Sequence, residues 1–275
     1  MHSKINTKDI KDISKIKKET EIIIKKAGEI LLSYFGNSLS KKNKAGAGFV
    51  TEADLASEQF LIKNLLQVLP ETSIYAEESG VQDNHSDYCW VIDPLDGTTN
   101  FAHGIPYFCI SVALTHNNIP LLGFVYNPLL DEMFFAHKDN GAFLNNSPIT
   151  ISNLKSLEDS FLAVCIPYPS AGTGRGEYYE RFAKSIMDIM QKSFSFRHCG
   201  AAALDLAYTA AGRFDAMFFE DMCWWDFAAG KLLIKEAGGI STDFQNNPIG
   251  PKSRTFIGAN KQIHAKLLDI FKNIQ

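Results

Sequence analysis

The chain has 275 residues, 45% of them hydrophobic and 21% charged, the balance of a globular protein long enough to bury a sizeable core. Its formal net charge of −4 is far from the strongly basic balance of a nucleic-acid binder, although a local basic face stays open. No apolar run reaches the ~18 residues that a bilayer span needs, so neither nucleic acid nor a membrane is an expected partner.

The N-terminal stretch MHSKINTKDIKDISKIKKE is charged and has no signal-peptide core. Cysteines 89, 109, 165, 199 and 223 are odd in number, widely spaced and free of any CxxC pair. They read as free thiols in a reducing compartment, and a cytoplasmic location is expected. Ile10, Ile13, Ile16, Ile23, Ala27, Ile30 and Tyr34 recur at helical spacing and predict a helix over 8–35, with Gly36 as its stop. The lysines between them read as a solvated face. KKNKAGAGF (41–49) is predicted as a loop, and a second helix over 52–69 ends before Pro70.

Two strands follow, SIYAE (73–77) and YCWVID (88–93). Residues 107–144 alternate as an antiparallel meander, with turns at Asn117-Asn118 and Asp139-Asn140-Gly141. Beyond about residue 155, strand-like runs (FLAVCIP, FSFRHC, FDAMFF, ISTDF, TFIGAN) interleave with helical ones over 177–191, 202–212 and 226–237. The expected class is α/β, a single unit with an α+β half (1–150) and an α/β half (151–275), its acids near the join.

The chemistry concentrates in WVIDPLDGTTNF (90–101). Pro94 fixes its own φ and disfavours helix at Asp93, so Asp93 and Asp96 sit on a rigid bend and can converge on one point. Local capping offers a second reading, with Asp93 closing the turn and Asp96 capping a short helix that starts at Gly97. Gly97-Thr98-Thr99 opens a helical turn whose unpaired N–H groups would attract an anion. Such a site beside two carboxylates makes electrostatic sense only with cations between them.

Glu77 and Glu78 (IYAEESG) end a strand, and alternation sends only one of them to the site. Asp226 (CWWDFAAG) opens a helix, as its N-cap or as a site residue. Asp54 (VTEADLASEQF) fits a capping box with Thr51. Two unit charges ~4 Å apart repel by roughly 4 kcal/mol at an effective dielectric near 20. Gathered acids must therefore protonate or recruit cations. No His/Cys cluster accompanies them, and hard oxygen ligands favour Mg²⁺ over zinc or copper. Magnesium beside a helix-start anion site points to phosphate chemistry.

With these motifs the sequence resembles the inositol monophosphatase family of the lithium-sensitive sugar-phosphatase superfamily. The resemblance rests on residues 90–114, on WDFAAGKLLIKEAGG (225–239), on AEES (76–79) and on VTEAD (50–54). It implies an α-β-α-β-α layered fold, a homodimer, and Mg²⁺-dependent, Li⁺-inhibited hydrolysis of phosphomonoesters. By position it implies one ion on Glu77, Asp93 and the Leu95 carbonyl, and a second on Asp93, Asp96 and Asp226. A third, weaker ion would use Glu77 through water. Thr98 and Glu77 would activate the attacking water, with Asp54 supporting Thr98, and the Gly97 and Thr98 amides would cradle the phosphate.

Asp96, Asp226, Ala202 and Glu220 are the expected contacts to the alcohol part of the substrate. The chain departs from the family at Ala76, where glycine is commoner, and in placing Glu220 six residues before Asp226 instead of seven. The expected substrate is inositol 1-phosphate. Alternatives on the same scaffold are 3′-phosphoadenosine 5′-phosphate, fructose 1,6-bisphosphate, NADP or another sugar phosphate. The lack of a Lys/Arg cluster near the motifs favours a monophosphate.

A non-catalytic metal- or phosphate-binding regulator is the reading from a different class; the complete set Glu77, Asp93, Asp96, Thr98 and Asp226 argues against it. SAGTGRGE (170–177) lacks the GK[ST] ending of a P-loop and reads as a connector. Arg175 and Arg197 stay open as contacts to a second phosphate or a subunit partner. His103 and His198 read as packing or surface residues.

Overall fold

Asp12 starts the first helix by accepting a hydrogen bond from the Lys15 amide at 2.9 Å, and α1 then runs Ile13–Tyr34. The computed structural model describes residues 12–37, 41–43, 49–166 and 175–272, so the predicted start of this helix at 8–11 lies outside the described residues. Its buried stripe is Ile16, Thr20, Ile24, Ala27 and Leu31, rotated from the predicted one, because Ile23 and Ile30 sit at the edge of the contact. The predicted loop over 41–49 is corrected in part. Lys41–Asn43 forms a strand, β1, that pairs antiparallel with β2 (Phe49–Thr51); 44–48 lie outside the described residues.

Thr51 caps α2 (Glu52–Val68), and Asp54 closes the capping box. The chain then lays down β3 (Ser73–Ala76), β4 (Gly80–Gln82), β5 (Tyr88–Asp96), a short α3 (Thr98–Ala102), β6 (Cys109–His116) and β7 (Ile119–Asn127). The meander finishes with β8 (Glu132–His137), β9 (Gly141–Leu144) and β10 (Ser147–Pro148). These strands form an eight-stranded sheet in the order β10-β9-β8-β7-β6-β5-β3-β4. Only the β3–β5 pair in it is parallel.

The second half contributes β11 (Phe161–Cys165), α4 (Arg175–Lys192), β12 (Ser195–Arg197), α5 (Ala202–Ala210), β13 (Ala216–Glu220) and α6 (Trp224–Glu236). It ends with β14 (Ile240–Thr242), β15 (Thr255–Ala259) and α7 (Lys261–Lys272). Its five strands are ordered β12-β11-β13-β15-β14, with β11 parallel to both neighbours and β15 antiparallel to both of its own.

Strand alternation distributes the core into three apolar layers. Trp90, Ile92, Ile110, Val112 and Phe124 on one face of the large sheet pack against Ile24, Leu31 and Leu61 of α1 and α2. Val91, Ala113, Val125 and Phe134 on its other face meet α5, α6 and the inner residues Ala163, Met217, Phe219 and Phe256 of the second sheet. Leu162, Val164, Phe218 and Ile257 cover the far side together with Phe182 and Ile189 of α4 and Leu267 and Phe271 of α7. The order is α-β-α-β-α, as the resemblance implies, and the middle layer draws on both halves of the chain.

That middle layer is thin because its residues are small. A Cβ on Gly230 of α6 would lie 2.5 Å from the Leu206 Cβ of α5, and one on Gly123 of β7 would lie 3.0 Å from the Ala229 carbonyl oxygen. Overpacking of this kind costs about 1–3 kcal/mol, since the opposing atoms cannot swing away. Gly230→Ala is therefore expected to lower unfolding stability by that amount in a denaturant titration; an unchanged midpoint would show that α5 and α6 can separate freely.

Candidate active site

The end of β5 is where the acids gather. Asp93 pairs with Ser111 and Asp96 with Cys109 across to β6, and the register shifts between the two acids as the strand bulges. The bulge turns both carboxyl groups toward the middle layer, the reading in which they converge. Asp93 Oδ1 accepts the Leu95 amide at 3.0 Å, and Ser57 Oγ donates to the Pro94 carbonyl at 3.0 Å, which ties the bend to α2.

Gly97 follows in the left-handed region, φ 91°, as the N-cap of α3. A Cβ there would sit 3.0 Å from the Tyr107 carbonyl oxygen and 3.1 Å from Ala201 Cβ, so both conformation and space call for glycine. The Gly97 and Thr98 amides precede the first intrahelical bond, Phe101 N to Gly97 O at 2.9 Å. Both amides therefore lie at the start of α3, ahead of its hydrogen-bond ladder.

Asp226 arrives from the opposite side on α6. The helix begins at Trp224, earlier than predicted, and its cap is Cys223 rather than Asp226. Asp226 is the third helical residue and closes a capping box, its Oδ2 accepting the Cys223 amide at 2.7 Å. Asp93, Asp96 and Asp226 each bring a carboxylate oxygen to within 4.8 Å of the others.

Glu77 and Glu78 part company as alternation requires. Glu77 hydrogen-bonds to Asp93, and its charge acts on Asp93, Asp96 and Asp54. The Glu78 amide turns to α2 and donates to Glu58 Oε2 at 2.8 Å.

Thr98 Oγ1 lies 3.0 Å from both Asp54 Oδ1 and the Leu95 carbonyl oxygen. Asp54 Oδ2 takes the Thr51 amide at 2.9 Å and the Thr51 hydroxyl at 2.5 Å. One carboxylate thus serves as capping-box acid and as partner of Thr98 at once.

Asp93 is 1% exposed and Asp96 8%. Burial first, then the charges of Glu77, Asp96 and Asp226, hold the Asp93 carboxyl well above its usual range. Burial pushes Asp96 up to about 7, countered in part by the amide of Ala203, which donates to Asp96 Oδ2 at 2.7 Å. The amides of Ala202 and Leu204 add to this, so the N-terminus of α5 grips the carboxylate. Ala202, expected beside the substrate, contributes here through its backbone.

The converging groups are carboxylates with all-oxygen donors, and burial with mutual charge disfavours the ionised forms of Asp93 and Asp96 unless positive charge offsets them. This donor set fits a hard divalent cation. The nearest sulfur, Cys109 Sγ, is 3.6 Å from Asp96 Oδ2 and acts as a thiol donor to it. Burial and the neighbouring acids raise that thiol well above its ordinary range, away from the thiolate a soft metal would need.

The remaining sequence candidates lie as follows. Leu95 is fully buried, with its carbonyl at the bend. Glu220 ends β13 opposite Thr255, and Asp221 after it takes a left-handed φ of 58°. Arg254 holds Asp221 at 2.8 Å. Arg197 is exposed and bonds its own strand at Ser195 and Phe196, with its guanidinium over the Phe161 ring. The Arg175 side chain and residues 170–174 lie outside the described residues. His103 and His198 place ring Nδ1 at 2.8 Å from the Thr99 carbonyl and 3.1 Å from the Val164 carbonyl.

Sequence reasoning missed the α5 amides and Cys109 as partners of Asp96. Backbone donors leave no residue-type signature, and a lone cysteine in an apolar strand reads as core.

Comparisons with known proteins place the chain as a whole. The family model described as "Inositol monophosphatase family" matches residues 12–275. An inositol-1-monophosphatase of Rhizobium meliloti is 36% identical over 250 residues, covering 90% of this chain and 92% of that protein. The crystal structure of extragenic suppressor protein suhB from Bartonella henselae superposes with a TM-score of 0.88 at 34% identity, covering 94% and 99% of the two chains. The IMPase of Thermotoga maritima gives 0.85 at 32% identity, covering 94% and 97%. Fold, acid cluster and motif order converge: this chain belongs to the inositol monophosphatase family, whose members are phosphoric monoester hydrolases.

Proposed function

We propose that the chain hydrolyses inositol 1-phosphate to inositol and phosphate with Mg²⁺ as its metal. The observation that carries this is the meeting of Asp93, Asp96 and Asp226 within 4.8 Å beside the Gly97–Thr98 helix start. Relatives named inositol-1-monophosphatase at 35–36% identity support the substrate. In this reading Glu77, Asp93 and the Leu95 carbonyl would hold one ion, and Asp93, Asp96 and Asp226 would hold a second. Glu77 would share a third, weaker ion through water. Divalent ions held there would supply Lewis acidity that acidifies water and offsets negative charge on the leaving group.

The chain's own groups set the geometry of attack. Asp54 accepts a hydrogen bond from the Thr98 hydroxyl, so the Thr98 oxygen is left to accept from the water; Glu77 takes the water's proton, and the leaving oxygen takes one from solvent. The Gly97 and Thr98 amides receive the phosphate oxygens. Asp96, Asp226, Ala202 and Glu220 border the alcohol. The two halves, 1–150 and 151–275, work as one catalytic unit because the acids come from both.

By the same family logic we place the protein as a Li⁺-sensitive homodimer, testable by light scattering, and in the cytoplasm, in keeping with its five free cysteines. Among the described residues no helix is long and apolar enough to cross a membrane.

Phosphate release across a panel of phosphomonoesters tests the substrate. With Mg²⁺, inositol 1-phosphate is expected to outpace fructose 1,6-bisphosphate, 3′-phosphoadenosine 5′-phosphate and NADP, and Li⁺ to suppress the reaction. Silence across the panel with metal bound would move the chain to a binding regulator. Asp93→Asn is expected to cut turnover by at least about 100-fold with an intact circular-dichroism spectrum; near-normal activity would remove Asp93 from the metal set.

A pH series on the metal-free chain is the third check. With Asp96 held up to about 7 against an ordinary 3.8, the folded state carries more protons than the unfolded one between those values. Stability then falls as pH rises through that window. The melting temperature in chelator should drop from pH 5 to 7.5, and added Mg²⁺ should flatten the slope. A curve indifferent to pH would mean that the carboxylates are not crowded.

A further inference from the structure

Asp205 has no place in the mechanism above, yet it is a fully buried acid in the first turn of α5. Its Oδ1 accepts the Tyr107 hydroxyl at 2.5 Å. Its Oδ2 is buried without a hydrogen-bond partner, and burial pushes the carboxyl up to about 8 although the Tyr107 hydroxyl and the Cys199 thiol both donate to the group. Burying an acid so incompletely satisfied is costly. Ala and Leu occupy the surrounding helix positions, and another apolar residue would fill the space without that cost.

Both partners of the bond reach the site through their neighbours. Tyr107 sits where its backbone carbonyl accepts Asn100 Nδ2 of α3 at 2.8 Å and walls off Gly97. Two residues later Cys109 lies opposite Asp96 and donates its thiol to it. Asp205 lies two residues after Ala203, whose amide is the 2.7 Å donor to Asp96 Oδ2. The Tyr107–Asp205 bond therefore joins the segment that leads into β6 and backs the Gly97 turn to the helical turn that grips Asp96.

We infer that Tyr107 and Asp205 are positioning residues for the acid cluster: their hydrogen bond fixes the first turn of α5 so that its amides hold one Asp96 oxygen and leave the other for the metal. This rests on the proposed reading of the cluster as the metal site. Partners of metal-ligating carboxylates act in this way, and their loss typically weakens metal binding or activity about 10–100-fold. A purely structural bond would instead lower stability and leave the affinity of the folded protein for metal unchanged.

The test titrates Mg²⁺ calorimetrically into the metal-stripped full chain. Tyr107→Phe and Asp205→Ala are expected to weaken Mg²⁺ binding about tenfold and to raise the Mg²⁺ needed for half-maximal phosphate release by the same factor. Asp205→Asn keeps an oxygen acceptor for the Tyr107 hydroxyl and should rescue the Mg²⁺ affinity that Asp205→Ala loses. Equal affinity in all the variants, whatever their melting temperatures, would overturn the inference, as would an Asn variant as weak as the Ala one. Phosphate release by the unaltered protein is read separately and reports on the phosphatase reading alone.

Discussion

Mutual repulsion among buried carboxylates is the constraint around which this fold is arranged. Asp93 and Asp96 are nearly out of reach of water, and Asp226 and Glu77 add their charge to the same volume. Such a group ionises only where fixed donors and cations offset it. The chain supplies the donors from three directions: the Leu95 amide to Asp93, the α5 amides to Asp96, and the Cys223 amide to Asp226. Each donor engages a carboxyl without neutralising it, so the cluster keeps a net demand for positive charge.

The layered architecture makes that convergence possible. Two helices lie between the sheets, and both start at the side where β5 bends. Their closeness depends on small residues: Gly230 against Leu206, Gly123 against Ala229, and Ala201 against Gly97. Larger side chains there would move the α5 and α6 starts away from β5, and the acids with them. Packing in the middle layer and charge in the site are thus one design problem, since the helix starts that complete the core also aim the amides.

Much of this was legible in the sequence because it is written contiguously. Asp93, Asp96, Gly97 and Thr98 share one bend and one short helix, so local rules about proline, glycine and helix starts reach them. Alternation at a strand end separated Glu77 from Glu78. Short pairings such as β1–β2, β4 and β10 escaped, since strands of two or three residues are set by their neighbours more than by their own pattern. The α1 stripe came out rotated because that helix carries more apolar residues than its contact face needs. Tyr107 and Asp205 are 98 residues apart, and no spacing rule links them. One signal was present: Asp205 stands in ALDLA, apolar on every side, and a helix apolar all round is buried.

The same logic separates what the site holds constant from what it can vary. Asp226 is fixed by the Cys223 amide within the first turn of α6, so its position depends on the helix and not on the connection that precedes it. That connection passes through Asp221, in a left-handed conformation held by Arg254. Glu220 is pinned separately, by its register opposite Thr255 in the second sheet. A change of loop length therefore displaces Glu220 relative to α6 without disturbing the acids. On the proposed reading the acids rest on helix starts and Glu220 on a strand end, so the two parts of the site are anchored independently.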